Sequence, residues 1–145
     1  MIGLFNIFGT LSSGYLSTKF PKKIILSFIY FARGAVIALF IFLPPSPTLA
    51  VLFGVTFGFL WLATVPPTAG IVGFIFGTKY MGLLYGIVFL SHQIGSFFGA
   101  YLGGLFKEIY GSYDYAWYVS IALSIFAGLI HLPIKEKQVK RLQTA

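Results

Sequence analysis

The sequence predicts an all-α fold, a polytopic membrane bundle of five transmembrane helices. Three observations carry that prediction. Long apolar runs recur almost to the end of the 145 residues, separated by short charged or proline-rich breaks. Hydrophobic residues make up 58% of the chain and charged residues 9%, with a mean hydropathy of +0.92, whereas a soluble domain carries about a quarter charged residues. The runs show neither the polar stripe of a soluble amphipathic helix nor the alternation over about ten residues that a membrane β-barrel requires. Only helices and closed barrels satisfy their backbone groups in lipid, so helices remain.

A hydrocarbon core about 30 Å thick takes about 20 mostly apolar residues to cross as a helix. The spans are Ile2–Ser17, Ile24–Leu43, Leu49–Phe76, Met81–Phe106 and Tyr115–Ile134, one transmembrane bundle over residues 1–134 followed by a basic tail, 135–145. Residues 1–18 lack the basic leader and small-residue cleavage site of a signal peptide, so they read as a span. The net charge of +7 would suggest nucleic acid in a soluble protein. Here the cations collect at span ends, where they act as orientation signals, and no nucleic-acid partner is expected. The first and third connections and the tail hold eight of them, including Lys19, Lys22, Lys23, Lys79, Lys140 and Arg141, against Lys107 alone on the other side. Cationic loops stay cytoplasmic, which places the N-terminus outside and the C-terminus in the cytoplasm of a cell (inner) membrane. The absence of cysteine excludes disulfides and thiolate metal sites.

The first connection lies in the run GYLSTKFPKK, Gly14 to Lys23. It resembles the signature loop of the major facilitator superfamily, roughly G-x-L-x-D-basic-x-G-basic-basic. Gly14, Leu16, Lys19, Lys22 and Lys23 match that pattern, while Thr18 replaces the acidic residue and Pro21 the second glycine. In that family a degenerate copy of the loop joins helices eight and nine. The resemblance therefore implies helices eight to twelve, the C-terminal half less its first helix, working with an N-terminal half that this chain lacks. The charge-derived orientation agrees with that placement. The stretch Thr64 to Gly104 is similar to the tenth and eleventh helices of facilitators near the monocarboxylate and oxalate–formate group. Lys19, Lys22 and Lys23 are expected to cap the C-terminal carbonyls of the first helix and to lie near anionic headgroups. Whether they also latch a conformational state stays open, because the acidic position is lost.

Polar residues within the spans are costly, and they nominate a site. The third span holds Thr64, Pro66, Pro67 and Thr68 near its midpoint. Two prolines remove two backbone donors and free carbonyls one turn earlier. Transporters use such broken helices to expose backbone to substrate; the alternative is a kink that fits an overlong span into the bilayer. In the fourth span His92 and Ser96 share a face with Tyr85, and Gln93 lies about a quarter-turn away. These residues either line a pathway or hydrogen-bond across a close-packed seam. Gly95, Gly99 and Gly103 form a small-residue stripe suited to such helix packing. Arg33, near the middle of the second span, is a buried charge costing about 2.5–3.5 kcal/mol unless it faces protein or water. Asn6 in the first span is a further candidate for the cavity wall.

Several chemistries are excluded. Ser91 and His92 are adjacent on a helix and do not face each other, and no GxSxG elbow accompanies them, so the chain is not expected to be an enzyme. Two histidines far apart in sequence and no carboxylate within a span argue against a metal site, and no phosphate-binding loop or other cofactor motif is present. The resemblance implies transport of a small solute by alternating access, with the lipid bilayer, the substrate and the absent N-terminal half as partners. Arg33 and the lack of acids in the spans lean toward a small organic anion. If this half carries protons, His92 is the carrier, because histidine changes charge near physiological pH. The alternative is a truncated, non-transporting relic, or a partner subunit that needs a separately encoded N-terminal half.

Overall fold

The protein is described by a computed structural model over residues 1–139. Among the described residues all regular structure is helical. The elements are α1 (Ile2–Lys19), α2 (Lys22–Phe42), α3 (Pro47–Trp61), α4 (Val65–Phe76), α5 (Met81–Tyr110) and α6 (Asp114–His131). The third expected span is thus two helices, α3 and α4, in line but broken at Leu62–Thr64. Among the described residues, three segments are long and apolar enough to cross a membrane: Lys22–Phe42, Pro47–Phe76 and Met81–Tyr110. α1 and α6 are 18 residues each and are not among those three segments.

Local chemistry explains the helix ends. Ser46 accepts the Leu49 N–H at 3.1 Å, with Pro47 in the first turn, so the proline-rich connection starts α3 cleanly. α5 closes at Gly111, whose φ of 69° is the left-handed conformation that ends helices at low cost in glycine. Lys107 caps that end, its Nζ donating to the Gly111 carbonyl at 2.6 Å.

Two helix pairs carry most of the packing, α2 with α6 and α1 with α3. Both seams rest on small residues. A Cβ at Gly34 would sit 3.2 Å from Ser124 Cβ, and one at Gly128 would press into the Phe31 ring. Between them, buried Ser27 donates to the Gly128 carbonyl at 2.6 Å. On the other seam, a Cβ at Gly9 would overlap the Phe59 backbone and one at Gly58 the Ile2 backbone. Close backbone approach of this kind is how helices gain dispersion contacts in lipid, where burial itself drives little. A buried cluster of Ile25, Ile29, Leu60 and Ala63 joins α2 to the end of α3. Phe40, Phe53 and Trp117 lock α2, α3 and α6 at the opposite end, Phe40 and Phe53 stacking at 4.2 Å. The exterior is apolar, with Phe28 68% and Phe97 66% exposed, as a lipid-facing surface demands.

The stripe Gly95, Gly99, Gly103 does not form a seam here. A Cβ at any of the three meets nothing within 4 Å, and no residue of α5 is buried. The basic loop also differs from expectation. α1 ends with the Phe20 N–H donating to Leu16 O, while Lys19 Nζ lies over the Tyr15 ring at 4.6 Å. Because α2 already begins at Lys22, its first-turn lysines serve other helices instead of capping α1. Lys22 lies over Phe74 of α4, and Lys23 Nζ donates to Leu132 O beyond α6 at 3.1 Å. The segment after α6 folds back over this end. Glu136 Oε1 accepts the Lys23 N–H at 2.8 Å, and the Val139 N–H reaches Ile75 O at 2.9 Å. Lys140 and Arg141 of the expected tail lie outside the described residues.

Candidate functional site

The site grows out of the break between α3 and α4. Pro66 and Pro67 carry no N–H, so the i→i−4 bonds that would reach Leu62 and Ala63 cannot form. The chain tightens locally, Val65 N–H reaching Leu62 O at 3.0 Å, before α4 resumes with Thr68 N–H on Thr64 O at 3.1 Å. The carbonyls of Leu60 and Trp61 lose their intrahelical donors, and both turn to Arg33. Its Nη2 donates to Leu60 O at 2.8 Å and to Trp61 O at 2.9 Å. From α1, Asn6 Oδ1 accepts the Leu62 N–H at 3.0 Å. Thr68 Oγ1 donates to Thr64 O at 2.7 Å.

Energetics make this arrangement self-consistent. A central Arg costs about 2.5–3.5 kcal/mol on insertion scales, while each hydrogen bond to a charged group contributes about 1.5–3 kcal/mol. Two such bonds offset the insertion cost, and they also spare two carbonyls from standing unpaired in hydrocarbon. Arg33 Nε is buried and has no partner among the described residues.

Arg33 also lines a cavity of about 340 Å³. α2 contributes Tyr30 and Arg33, the α3–α4 break contributes Trp61, Leu62, Thr64, Val65 and Thr68, α5 contributes Tyr85, Val88, Phe89, Ser91 and His92, and α6 contributes His131. None of these is acidic. Tyr30 stacks on His131 with ring centroids 5.1 Å apart, and the Arg33 guanidinium carbon lies 5.4 Å from the Tyr30 ring centre. His131 Nδ1 is 2.6 Å from Ala127 O; a carbonyl only accepts, so that nitrogen carries hydrogen.

Of the residues nominated from the sequence, Arg33, Thr64, Thr68 and His92 meet in this cavity. The others stand elsewhere. Pro67 is fully buried, and Pro66 packs beside Gly14, 3.7 Å from where a Cβ there would be. The prolines shape the wall without forming it. Asn6 ties α1 to the break and is not among the lining residues. Gln93 and Ser96 lie outside the lining, and Ser96 Oγ donates back to His92 O at 3.0 Å. Tyr30, Trp61 and His131 were missed. Tyr30 was within reach of sequence reasoning, since it lies three residues before Arg33 on the same helix face. His131 was not, because only the packing of α6 against α2 brings it beside Tyr30 and Arg33, at a cavity whose other wall is α5 with His92. The distance between the two histidines in sequence was no guide, although among the described residues no cluster suited to a metal forms.

The whole length of the sequence, residues 1–145, matches the family model described as Major Facilitator Superfamily. The chain belongs to that superfamily. A relative is the uncharacterized MFS-type transporter YcxA of Bacillus subtilis (strain 168), 30% identical over 134 residues. The match covers 88% of this chain and 32% of the relative, so the chain spans about a third of that transporter's length. No solved structure matches it. Facilitator membership makes this a membrane-embedded chain of a transport family rather than of an enzyme family.

Proposed function

We propose that this facilitator chain forms helices eight to twelve of a larger secondary transporter, which moves a small organic anion across the cell membrane by alternating access. The observation that supports this best is Arg33, held by a broken helix at the wall of a cavity with no acidic lining residue. Broken helices at the midplane are where transporters of this kind place substrate. The histidines at the same cavity are the groups available for proton coupling. α5, which buries no residue here, is the face expected to meet the remaining helices. The same exposure supports the second reading, a partner subunit that needs a separately encoded N-terminal half, or a relic.

Uptake in proteoliposomes tests the reading. The 145-residue chain alone is expected to show none, since five spans enclose no two-sided pathway. Assembled with an N-terminal half, it is expected to take up small anions, and His92→Ala is expected to lower that uptake without loss of expression. Robust uptake by the isolated chain would overturn the fragment reading. Failure of the assembled protein to move any solute would favour the relic.

A further inference from the structure

We propose that the cavity beside the α3–α4 break binds a small monocarboxylate carrying an aromatic ring. The proposal rests on the transport reading above and narrows its substrate class. Three features of the wall carry it. Arg33 is the one permanent cation in a lining that holds no acid, so the wall favours a single negative charge. A dianion would leave its second charge against rings, without a fixed partner, and unpaired charges in such surroundings are expensive. Arg33 is also incompletely committed. One terminal nitrogen serves both backbone carbonyls; Nε has no partner but is itself buried, so the terminal nitrogens are the ones a carboxylate would meet.

The rings supply the second feature. Trp61 enters the cavity from α3 and Phe89 from α5. Both are large rings that stay about half exposed, 50% and 54%, beyond one ring neighbour each, Phe57 at 5.2 Å and His92 at 6.0 Å. An aromatic solute offers that remaining surface offset or edge-on contacts. Tyr30, by contrast, is already occupied, stacked on His131 and lying beneath the Arg33 guanidinium. Size is the third feature. A volume of about 340 Å³ lies at the small end of ligand pockets, about 300–1,000 Å³, which suits one ring and one carboxylate better than a nucleotide.

The chain holds two tryptophans, so Trp117→Phe leaves Trp61 as the sole emitter inside the cavity wall. That variant, in detergent micelles or nanodiscs, is titrated with benzoate, benzamide and acetate while Trp61 emission is followed. Benzoate is expected to produce a saturable change, with benzamide and acetate weaker by about tenfold or more, the factor that one charge-assisted bond or one aromatic contact supplies. The ligand series needs no substitution at Arg33, whose loss would also uncap Leu60 and Trp61. Benzamide binding as tightly as benzoate would remove the anion, and acetate doing so would remove the ring. No saturable response to any of them would remove the site. Uptake separates this proposal from the transport reading. An assembled carrier that moves only aliphatic solutes sinks the aromatic assignment and leaves transport standing. Benzoate binding without uptake of any solute supports the site and sinks transport.

Discussion

Arg33 shows how a cation is kept inside an apolar helix. Its insertion cost is met by two carbonyls, Leu60 and Trp61, that lose their Thr64 and Val65 donors where the neighbouring α3 breaks. Arg33→Met is therefore expected to destabilise the chain although it removes a charge from the bilayer. It leaves two backbone acceptors unpaired, each worth about 1–3 kcal/mol, against a relief of about 2.5–3.5 kcal/mol. The cation–π contact of the guanidinium with the Tyr30 ring is lost as well. A net loss of about 1–2 kcal/mol, read from unfolding in mixed micelles, is expected; a more stable variant would mean that the carbonyls find other partners. The sequence marked Arg33 as a residue that had to face protein, and the structure identifies the partner. No residue-level rule could name it, because the acceptors are main-chain atoms exposed by a break in another helix.

At the scale of elements, the α3–α4 break and Arg33 form one unit, and a double-mutant cycle measures the coupling. Pro66→Ala with Pro67→Ala restores N–H donors for Leu62 O and Ala63 O and lets the helix run through. The Thr64 and Val65 N–H groups then return to Leu60 O and Trp61 O and release Arg33. Arg33→Met is then expected to cost less in the double-alanine background than in the parent, by about 1–3 kcal/mol. Strict additivity would sink the link. Helix pairing gives a second contrast. Gly34→Leu forces a side chain into Ser124 and is expected to cost about 1–3 kcal/mol. Gly99→Leu, with open space around it, is expected to be neutral in this chain, and the same micelle unfolding distinguishes the two. Sequence reasoning chose the glycines of the fourth span because their four-residue spacing is regular. The seams instead use Gly9, Gly58, Gly34, Ser124 and Gly128 on four different helices, and only Ser124 and Gly128 share the four-residue spacing.

For the whole molecule, the loop cations predict the orientation, with the N-terminus outside. A chain without cysteine accepts single reporters cleanly. Cysteines placed at residue 1 and in the tail are expected to label from opposite faces, the first from outside, and labelling from one face would overturn the charge-derived topology. Much of the architecture was legible beforehand. Apolar run length, low charge and loop cations determine that the chain is helical, membrane-embedded and built of repeated spans, because lipid allows few other backbone solutions. The degenerate loop at Gly14–Lys23 was enough to suggest the superfamily. Only the tertiary structure decided which helices touch, where Lys23 and Glu136 join the ends of α2 and α6, and which polar residues share a cavity. Those outcomes depend on contacts between residues up to 113 positions apart, and hydropathy along one strand of sequence is blind to them.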